Sequence, residues 1–146
     1  MILNIFLAAA ATIGFSIIFN IPRKELIFCG LAGAGCWSVL TLIITLSPDS
    51  RMAATFVAAV VVTIYARILS TLRKMPSTVY MIPGIIPLVP GTRIYNTMLY
   101  IVTGEHAQAL SQGIEALAIS GVISIGLLAA LSLPRWLFSF ERNKTK

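Results

Sequence analysis

The sequence predicts an all-α polytopic membrane protein with five transmembrane helices, and this prediction rests on composition and on the spacing of the apolar runs. Of the 146 residues, 58% are apolar and only 11% are charged, well outside the usual balance of soluble domains. A soluble fold of this size would leave most of that apolar surface uncovered, whereas a bilayer covers helices of about 20 apolar residues. We therefore expect one transmembrane domain over residues 1–146, surrounded by lipid.

Five apolar runs follow one another, and each ends at charged residues, prolines or glycine. The predicted spans cover residues 2–21, 26–46, 52–72, 79–102 and 107–133, and a basic tail follows at 134–146. No Lys or Arg precedes the first run, which continues to Ile21, so we expect a retained span and not a cleaved signal. Cys29 and Cys36 lie too far apart on one helix for a disulfide and are expected to be packing residues.

The fourth run is unusual because three prolines and two glycines fall within apolar sequence. Each proline removes a backbone donor, and glycine permits backbone angles that other residues avoid. Irregular backbone at membrane depth is tolerated only where protein or a water-filled cavity covers it, and interrupted helices are typical of transporter sites. We therefore predict that Pro83, Gly84, Pro87, Pro90 and Gly91 interrupt the fourth span at 83–91 and contribute to a substrate site. Both glycines are expected to be needed for backbone geometry.

The cations predict an orientation for the chain. Eight of them fall on one side of the predicted spans: Arg23, Lys24, Arg73, Lys74, Arg135, Arg142, Lys144 and Lys146. Arg51 is the only cation in a loop on the other side, which also holds Asp49 and Glu105. Because cytoplasmic loops carry the excess of Lys and Arg, we expect the N-terminus outside and the C-terminus in the cytoplasm. A fourth run that dips in and returns would instead give four spans and spoil this bias.

Small and aromatic residues suggest further contacts. Small residues that let helices approach closely recur every four positions, as Ala10 with Gly14, Gly30 with Ala34, and Ala116 with Ser120 and Ser124. The alternative is that small residues are simply common in membrane helices. Tyr80 and Tyr100 are consistent with the aromatic belts at the membrane surface.

No enzyme, metal or nucleotide site is predicted, and no cofactor is expected. The single histidine, His106, has no cysteine or carboxylate partners at metal-ligand spacing, and no glycine loop with a lysine is present to bind phosphate. The net charge is +6, but the cations form no patch with interleaved aromatics, so nucleic acid is not an expected partner.

Arg93 is the main candidate for binding an anion. It follows Pro90-Gly91 by two residues, where the fourth helix is expected to resume. Free N–H groups, the helix dipole and the guanidinium would together favour an anionic group, and Tyr95 and Asn96 are nearby candidate contacts. The alternative is that Arg93 forms a structural pair with a neighbour.

Glu115 and Arg67 are the other ionisable residues within the apolar runs, and both are candidates for ion coupling or for a structural ion pair. A carboxylate at the depth of Glu115 should face protein or water, where it either relays a proton or neutralises Arg93. Arg67 either extends to the membrane surface or supplies the second cation that a dicarboxylate needs.

Three segments resemble the threonine/serine exporter family. They are Phe19-Asn20-Ile21-Pro22, the Pro83–Gly91 stretch with its Pro87-Leu88-Val89-Pro90-Gly91 core, and Tyr95 shortly after it. The chain most resembles the small subunit of the split form, the YjjB type. This implies an inner-membrane exporter of small hydrophilic metabolites in which a larger YjjP-type subunit supplies a soluble domain and five further spans. Split pairs are associated with succinate or related dicarboxylates, and fused members with threonine and serine.

The sequence is compatible with four functions. The leading hypothesis is a secondary exporter subunit for a small carboxylate such as succinate, with Arg93 meeting the anionic group. Export of threonine or serine is an alternative, and so is a non-transporting scaffold whose larger partner holds the whole site. A channel is less favoured because no ring of acids or filter-like repeat is present.

Overall fold

The structure of the protein, a computed structural model, describes residues 2–47 and 50–134, and every regular element in that part of the chain is helical. The helices are α1 (Ile2–Ile18), α2 (Leu26–Leu46), α3 (Arg51–Arg73), α4 (Thr78–Ile85), α5 (Gly91–Val102) and α6 (His106–Ser132). Short 3-10 turns lie at Arg23–Glu25 and Ile86–Leu88. The predicted all-helical architecture is therefore confirmed. Asp49 and the basic tail beyond Pro134 lie outside the described residues.

Three helical stretches are long and apolar enough to cross a membrane, at Arg23–Leu46, Arg51–Arg73 and His106–Ser132. Two shorter apolar helices accompany them, at Ile2–Ile18 and Thr78–Leu88. Several apolar helices in one chain are what a multi-pass membrane protein requires, whereas the count of five crossings stays a prediction.

Close contact between α1 and α2 depends on small residues. Gly33 lies so near α1 that a Cβ there would overlap the Thr12 side chain. Ala8, Thr12 and Ser16 form the buried stripe of α1, and the two hydroxyls donate to carbonyls one turn earlier at 2.8 and 2.7 Å. The predicted contact through Ala10 and Gly14 is wrong, because both lie on the exposed side of this helix.

Small residues also bring α6 against α3. A Cβ on Gly126 would lie 2.9 Å from the Ala59 Cβ and 3.1 Å from the Phe56 carbonyl oxygen. Ala116 is buried, as predicted, but Ser120 and Ser124 are exposed, so the expected contact is wrong for these two serines within this chain. Each serine hydroxyl donates to the carbonyl four residues earlier at 2.9 Å.

Prolines explain where α4 ends and α5 begins. Pro83 has no amide hydrogen to offer the Val79 carbonyl, and that carbonyl accepts a hydrogen bond from Cys29 Sγ at 3.4 Å instead. Pro87 lies in the 3-10 turn that follows α4, and Pro90 precedes α5 with a non-helical ψ of 55°. α4 includes Pro83 and Gly84, so the interruption predicted at 83–91 is shorter than expected: helical geometry continues to Leu88 and resumes at Gly91.

The backbone role predicted for the two glycines of this segment is wrong. Gly104 is the glycine with positive φ in the described chain, so neither Gly84 nor Gly91 adopts the left-handed conformation. Gly84 is needed for close packing, because a Cβ there would lie 2.6 Å from Val62 Cγ2. A Cβ at Gly91 would meet nothing within 4 Å.

Glu25, Phe28, Arg73 and Tyr80 meet where the α1–α2 turn, the end of α3 and the start of α4 come together, and we call this group the turn cluster. Arg73 donates from Nη2 to Glu25 Oε1 at 2.7 Å and from Nε to Oε2 at 3.0 Å. The Tyr80 hydroxyl donates to Oε2 at 2.7 Å, and the Arg73 guanidinium lies 4.5 Å from the centroid of the Phe28 ring. Tyr80 is fully buried, so its alternative placement in a membrane-surface belt is wrong. Cys29 and Cys36 are buried and free, as predicted.

Candidate functional site

The irregular segment between α4 and α5 forms one wall of an open cavity of about 470 Å³, which we call the break cavity. Its polar lining residues are Trp37, Thr41, Arg51, Thr55, Thr92 and Arg93, and its apolar lining includes Leu40, Ile44, Leu88 and Ile119. The lining therefore comes from α2, from the first turns of α3 and from α6 as well as from the break. Its volume is in the usual range for small-molecule sites, roughly 300–1,000 Å³.

The first turn of α5 contributes backbone donors to this wall. The Gly91 amide bonds to the Val89 carbonyl at 2.8 Å, and the Ile94 amide bonds to the Pro90 carbonyl at 3.1 Å. Among the hydrogen bonds of the described residues, none engages the amides of Thr92 and Arg93, as is normal for a first helical turn. These amides and the positive end of the helix dipole favour an anion here.

Arg93 joins this wall to α6 as well as lining the cavity. Its Nη1 forms an ion pair with Glu115 Oε2 and donates to Gln112 Oε1 at 3.2 Å. The Arg93 side chain is 26% exposed and that of Glu115 is 32% exposed, so the described part of this chain does not enclose either partner. In the described chain both bonds use Nη1, which leaves the N–H groups of Nε and Nη2 able to bind a ligand.

Arg51 and Trp37 are cavity residues that the sequence did not identify. Arg51 is the first residue of α3, and the sequence assigned it only to a loop. Trp37 lies on α2, and its indole nitrogen is buried without a hydrogen-bond partner in the described part of the chain. No motif marks either residue, because their approach to the break depends on how α2 and α3 pack beside it.

The predicted site residues separate into two groups. Pro87, Pro90, Gly91 and Arg93 line the break cavity. Pro83 lines a different cavity of about 320 Å³, while Gly84 is packed against Val62. Tyr95 is exposed and Asn96 is half-buried, and neither lines the break cavity.

Arg67 lies beside the C-terminal part of α6. Its Nη1 donates to the Ala130 carbonyl at 2.6 Å and to the Leu131 carbonyl at 3.3 Å. The two predicted intramembrane cations are therefore not brought together, since Arg93 lines the break cavity and Arg67 does not. In the described ranges, no three His, Cys, Asp or Glu side chains cluster so as to hold a metal ion.

Comparison with known proteins identifies one family that matches most of the chain. A family model described as "Threonine/Serine exporter, ThrE" matches residues 4–133. A relative from Haemophilus influenzae, whose name is given as "Uncharacterized protein", is 28% identical over 94% of this chain. The chain covers 48% of that relative, so it spans about half the length of the protein it matches. No solved structure matches. Because the family model covers nearly all of the sequence, the chain belongs to the threonine/serine exporter family, which is a family of transporters.

Proposed function

We propose that this chain is the membrane subunit of a secondary exporter of small hydrophilic metabolites, with a dicarboxylate such as succinate as the substrate. The observation that carries the proposal is the break cavity, where Arg93 and the first turn of α5 meet beside an interrupted helix. A carboxylate gains more from a guanidinium and oriented N–H donors in a water-poor cleft than it does in bulk water. Membership of an exporter family supports transport as the activity.

Five crossings fit the helices, with α4 and α5 acting together as one interrupted fourth span. Residues 1–146 then form a single transmembrane domain. In transporters, interrupted helices supply backbone groups for the substrate near the middle of the membrane. Pro83, Gly84, Pro87, Pro90, Gly91 and Arg93 belong to this interrupted span, and Tyr95 and Asn96, which do not line the break cavity, are proposed as further substrate contacts in α5.

A larger YjjP-type subunit is proposed to complete the transporter. This chain matches about half of the Haemophilus influenzae relative. That single protein therefore contains a region similar to this chain and a similar length of further sequence. Two five-span units joined without an extra span have opposite topology, and inverted units are a common basis of alternating access. The break cavity would then face the interface between the two halves.

The proposed orientation has the N-terminus outside and the C-terminus in the cytoplasm, in the cell inner membrane. A single cysteine introduced between residues 139 and 146 tests it with a membrane-impermeant thiol reagent. Intact cells should show no labelling, and broken cells should show efficient labelling. Efficient labelling of intact cells would overturn both the orientation and the five crossings.

The substrate proposal is tested by succinate efflux from host cells that lack the chromosomal copy and carry single variants. Arg93→Ala should nearly abolish efflux, and Arg93→Lys should weaken it because the charge stays but the planar fork is lost. Lys24→Ala, which removes an exposed cation that does not line the cavity, serves as the matched control. Wild-type efflux from cells carrying Arg93→Ala would refute the role of Arg93.

Two other functions each have one observation in their favour. Export of threonine or serine is favoured by the description of the matched family, and the same strains assayed for threonine efflux test it. A non-transporting scaffold role is favoured by the ion pair of Arg93 with Glu115, which holds α5 against α6. A scaffold predicts normal efflux and normal complex yield when both residues are replaced by alanine.

A further inference from the structure

Arg51 is a second arginine in the lining of the break cavity, and the proposed function does not yet use it. It is the first residue of α3, and it lines the same cavity as Arg93 in the first turn of α5. Each arginine therefore stands at the positive end of a helix dipole, and two helix starts approach one cavity. The cavity has room for a ligand larger than a single carboxylate group.

Trp37 contributes an unpaired buried donor beside the break cavity, and it also lines a second cavity of about 310 Å³ on its α1 side. Its indole N–H is buried and has no acceptor within the described residues, although the side chain lines the cavity. Buried donors are nearly always paired, since an unpaired one keeps the full cost of losing water.

The ion pair with Glu115 leaves Arg93 able to take part. Glu115 and Gln112 both bind Nη1, so two of the three guanidinium nitrogens remain for a ligand. The Arg51 side chain is exposed, and the Arg51 carbonyl accepts the Thr55 hydroxyl at 2.9 Å, which fixes the first turn of α3.

We propose that Arg51 and Arg93 each bind one carboxylate of a linear dicarboxylate in the break cavity, so that Arg51 determines the preference for dicarboxylates. This inference rests on the proposed function because it concerns the same site. A monocarboxylate would leave Arg51 unused. An amino acid whose carboxylate binds Arg93 would place its ammonium group near Arg51, and the two positive charges would repel each other. This repulsion would favour a dicarboxylate over an amino acid.

Ligand binding is measured apart from transport, in membranes that contain the transporter with its natural partners. Thr92→Cys places a thiol on the cavity wall, and a neutral maleimide labels it without responding to changes in local charge. The natural cysteines are buried, so the unsubstituted protein gives the background. Succinate should slow the labelling, and butyrate should slow it much less.

Arg51→Gln in the Thr92→Cys protein should raise the succinate concentration needed for protection by roughly tenfold or more, the usual effect of losing a charge-assisted pair. Butyrate protection should not change. Arg51→Lys should retain much of the succinate effect, and Lys24→Gln, an exposed cation that does not line the cavity, should retain all of it.

The possible outcomes separate this inference from the proposed function. Equal succinate protection with and without Arg51 overturns the inference and leaves the exporter proposal intact. Absence of succinate protection, both at Thr92→Cys and at a second reporter, Thr41→Cys, also overturns it. Protection that depends on Arg51, in cells that export no succinate, upholds the binding site and refutes succinate export. If Arg51→Gln does not accumulate in the membrane, Arg51→Met makes the same comparison.

Discussion

In the part of the chain that the structure describes, two arginine–glutamate pairs connect residues that are distant in sequence, and their surroundings differ. In the turn cluster, Glu25 has a 9% exposed side chain and accepts bonds from two nitrogens of Arg73 and from the buried Tyr80 hydroxyl. Beside the break cavity, Glu115 is 32% exposed and contacts Arg93 through one nitrogen only. The first carboxylate is therefore held by three donors at a junction of three chain segments, and the second by one donor at the edge of a cavity.

This difference indicates what each pair does. When a buried ion pair is broken, the remaining buried groups have no hydrogen-bond partner, and the fold is destabilised. The turn cluster is therefore expected to stabilise the fold. A pair with one hydrogen bond between its partners at the edge of a cavity loses less when it separates than a pair with several, and an arginine with unused N–H groups can exchange or share a carboxylate. We therefore expect substitutions in the turn cluster to change stability and those at the cavity to change transport.

The largest expected effect is on thermal stability at the turn cluster. Glu25→Ala removes the acceptor of Arg73 and Tyr80 and leaves a buried hydroxyl unpaired, so the melting temperature should fall by roughly 5–10 °C. Glu115→Ala is the matched control, and its melting temperature should fall by no more than about 2 °C because water can replace the lost pair. Both are measured on the purified protein in detergent.

Equal losses of stability in the two variants would contradict the proposed difference between a stabilising pair at Glu25 and an exchangeable pair at Glu115. A large loss for Glu115→Ala alone would reverse it and favour the scaffold role for Arg93.

The next largest expected effect is on succinate efflux, and it tests whether Arg93 contacts the substrate. Arg93→Ala should reduce succinate efflux by roughly tenfold or more, since a charge-assisted contact to substrate is lost. Glu115→Ala should reduce it much less. If Arg93 contacts substrate, the double variant should stay as inactive as Arg93→Ala. Recovery of efflux in the double variant would show instead that a lone charge caused the defect and would exclude Arg93 from the substrate site.

Sequence pattern predicted the helices well and the contacts between them poorly. Apolar runs located α2, α3 and α6, because the length of an apolar run is a local property of the sequence. The stripe of α1 that contacts α2 could not be chosen from the sequence, since Ala8, Thr12 and Ser16 alternate with other small residues. Helix periodicity offers several such stripes, and only the partner helix selects one.

The candidate site was predicted only in part, for the same reason. Arg93 was found because it follows Pro90-Gly91 directly in the sequence. The approach of Arg51 to the break, and of Arg73 and Tyr80 to Glu25, joins residues that are far apart in the chain. Charge counting treated Arg51 and Arg73 as loop residues, because the exposure and the partner of a side chain cannot be known without the packing of the helices.

A smaller effect is expected when only the third donor of the turn cluster is removed. Tyr80→Phe keeps the ring and its packing but loses the hydroxyl that donates to Glu25, so the melting temperature should fall by roughly 2–6 °C. Tyr100→Phe, at a half-buried tyrosine of α5, is the control and should have a smaller effect. If Tyr80→Phe matches wild type, the two bonds from Arg73 hold Glu25 without help.

The smallest expected effect is the change in stability at Gly91, which lines the break cavity. Gly91 has no positive φ, and a Cβ there would meet nothing within 4 Å, so Gly91→Ala should fold normally and could gain a few tenths of a kcal/mol from a less flexible unfolded chain. Gly84→Ala is the contrasting variant, because its Cβ would press on Val62 and lower the melting temperature. Gly91→Val should then reduce succinate efflux by filling space in the break cavity, with membrane insertion and melting temperature unchanged. Loss of folding in Gly91→Ala would contradict this account, since it would mean that the start of α5 requires glycine for its backbone and not for the space that it leaves beside Arg93.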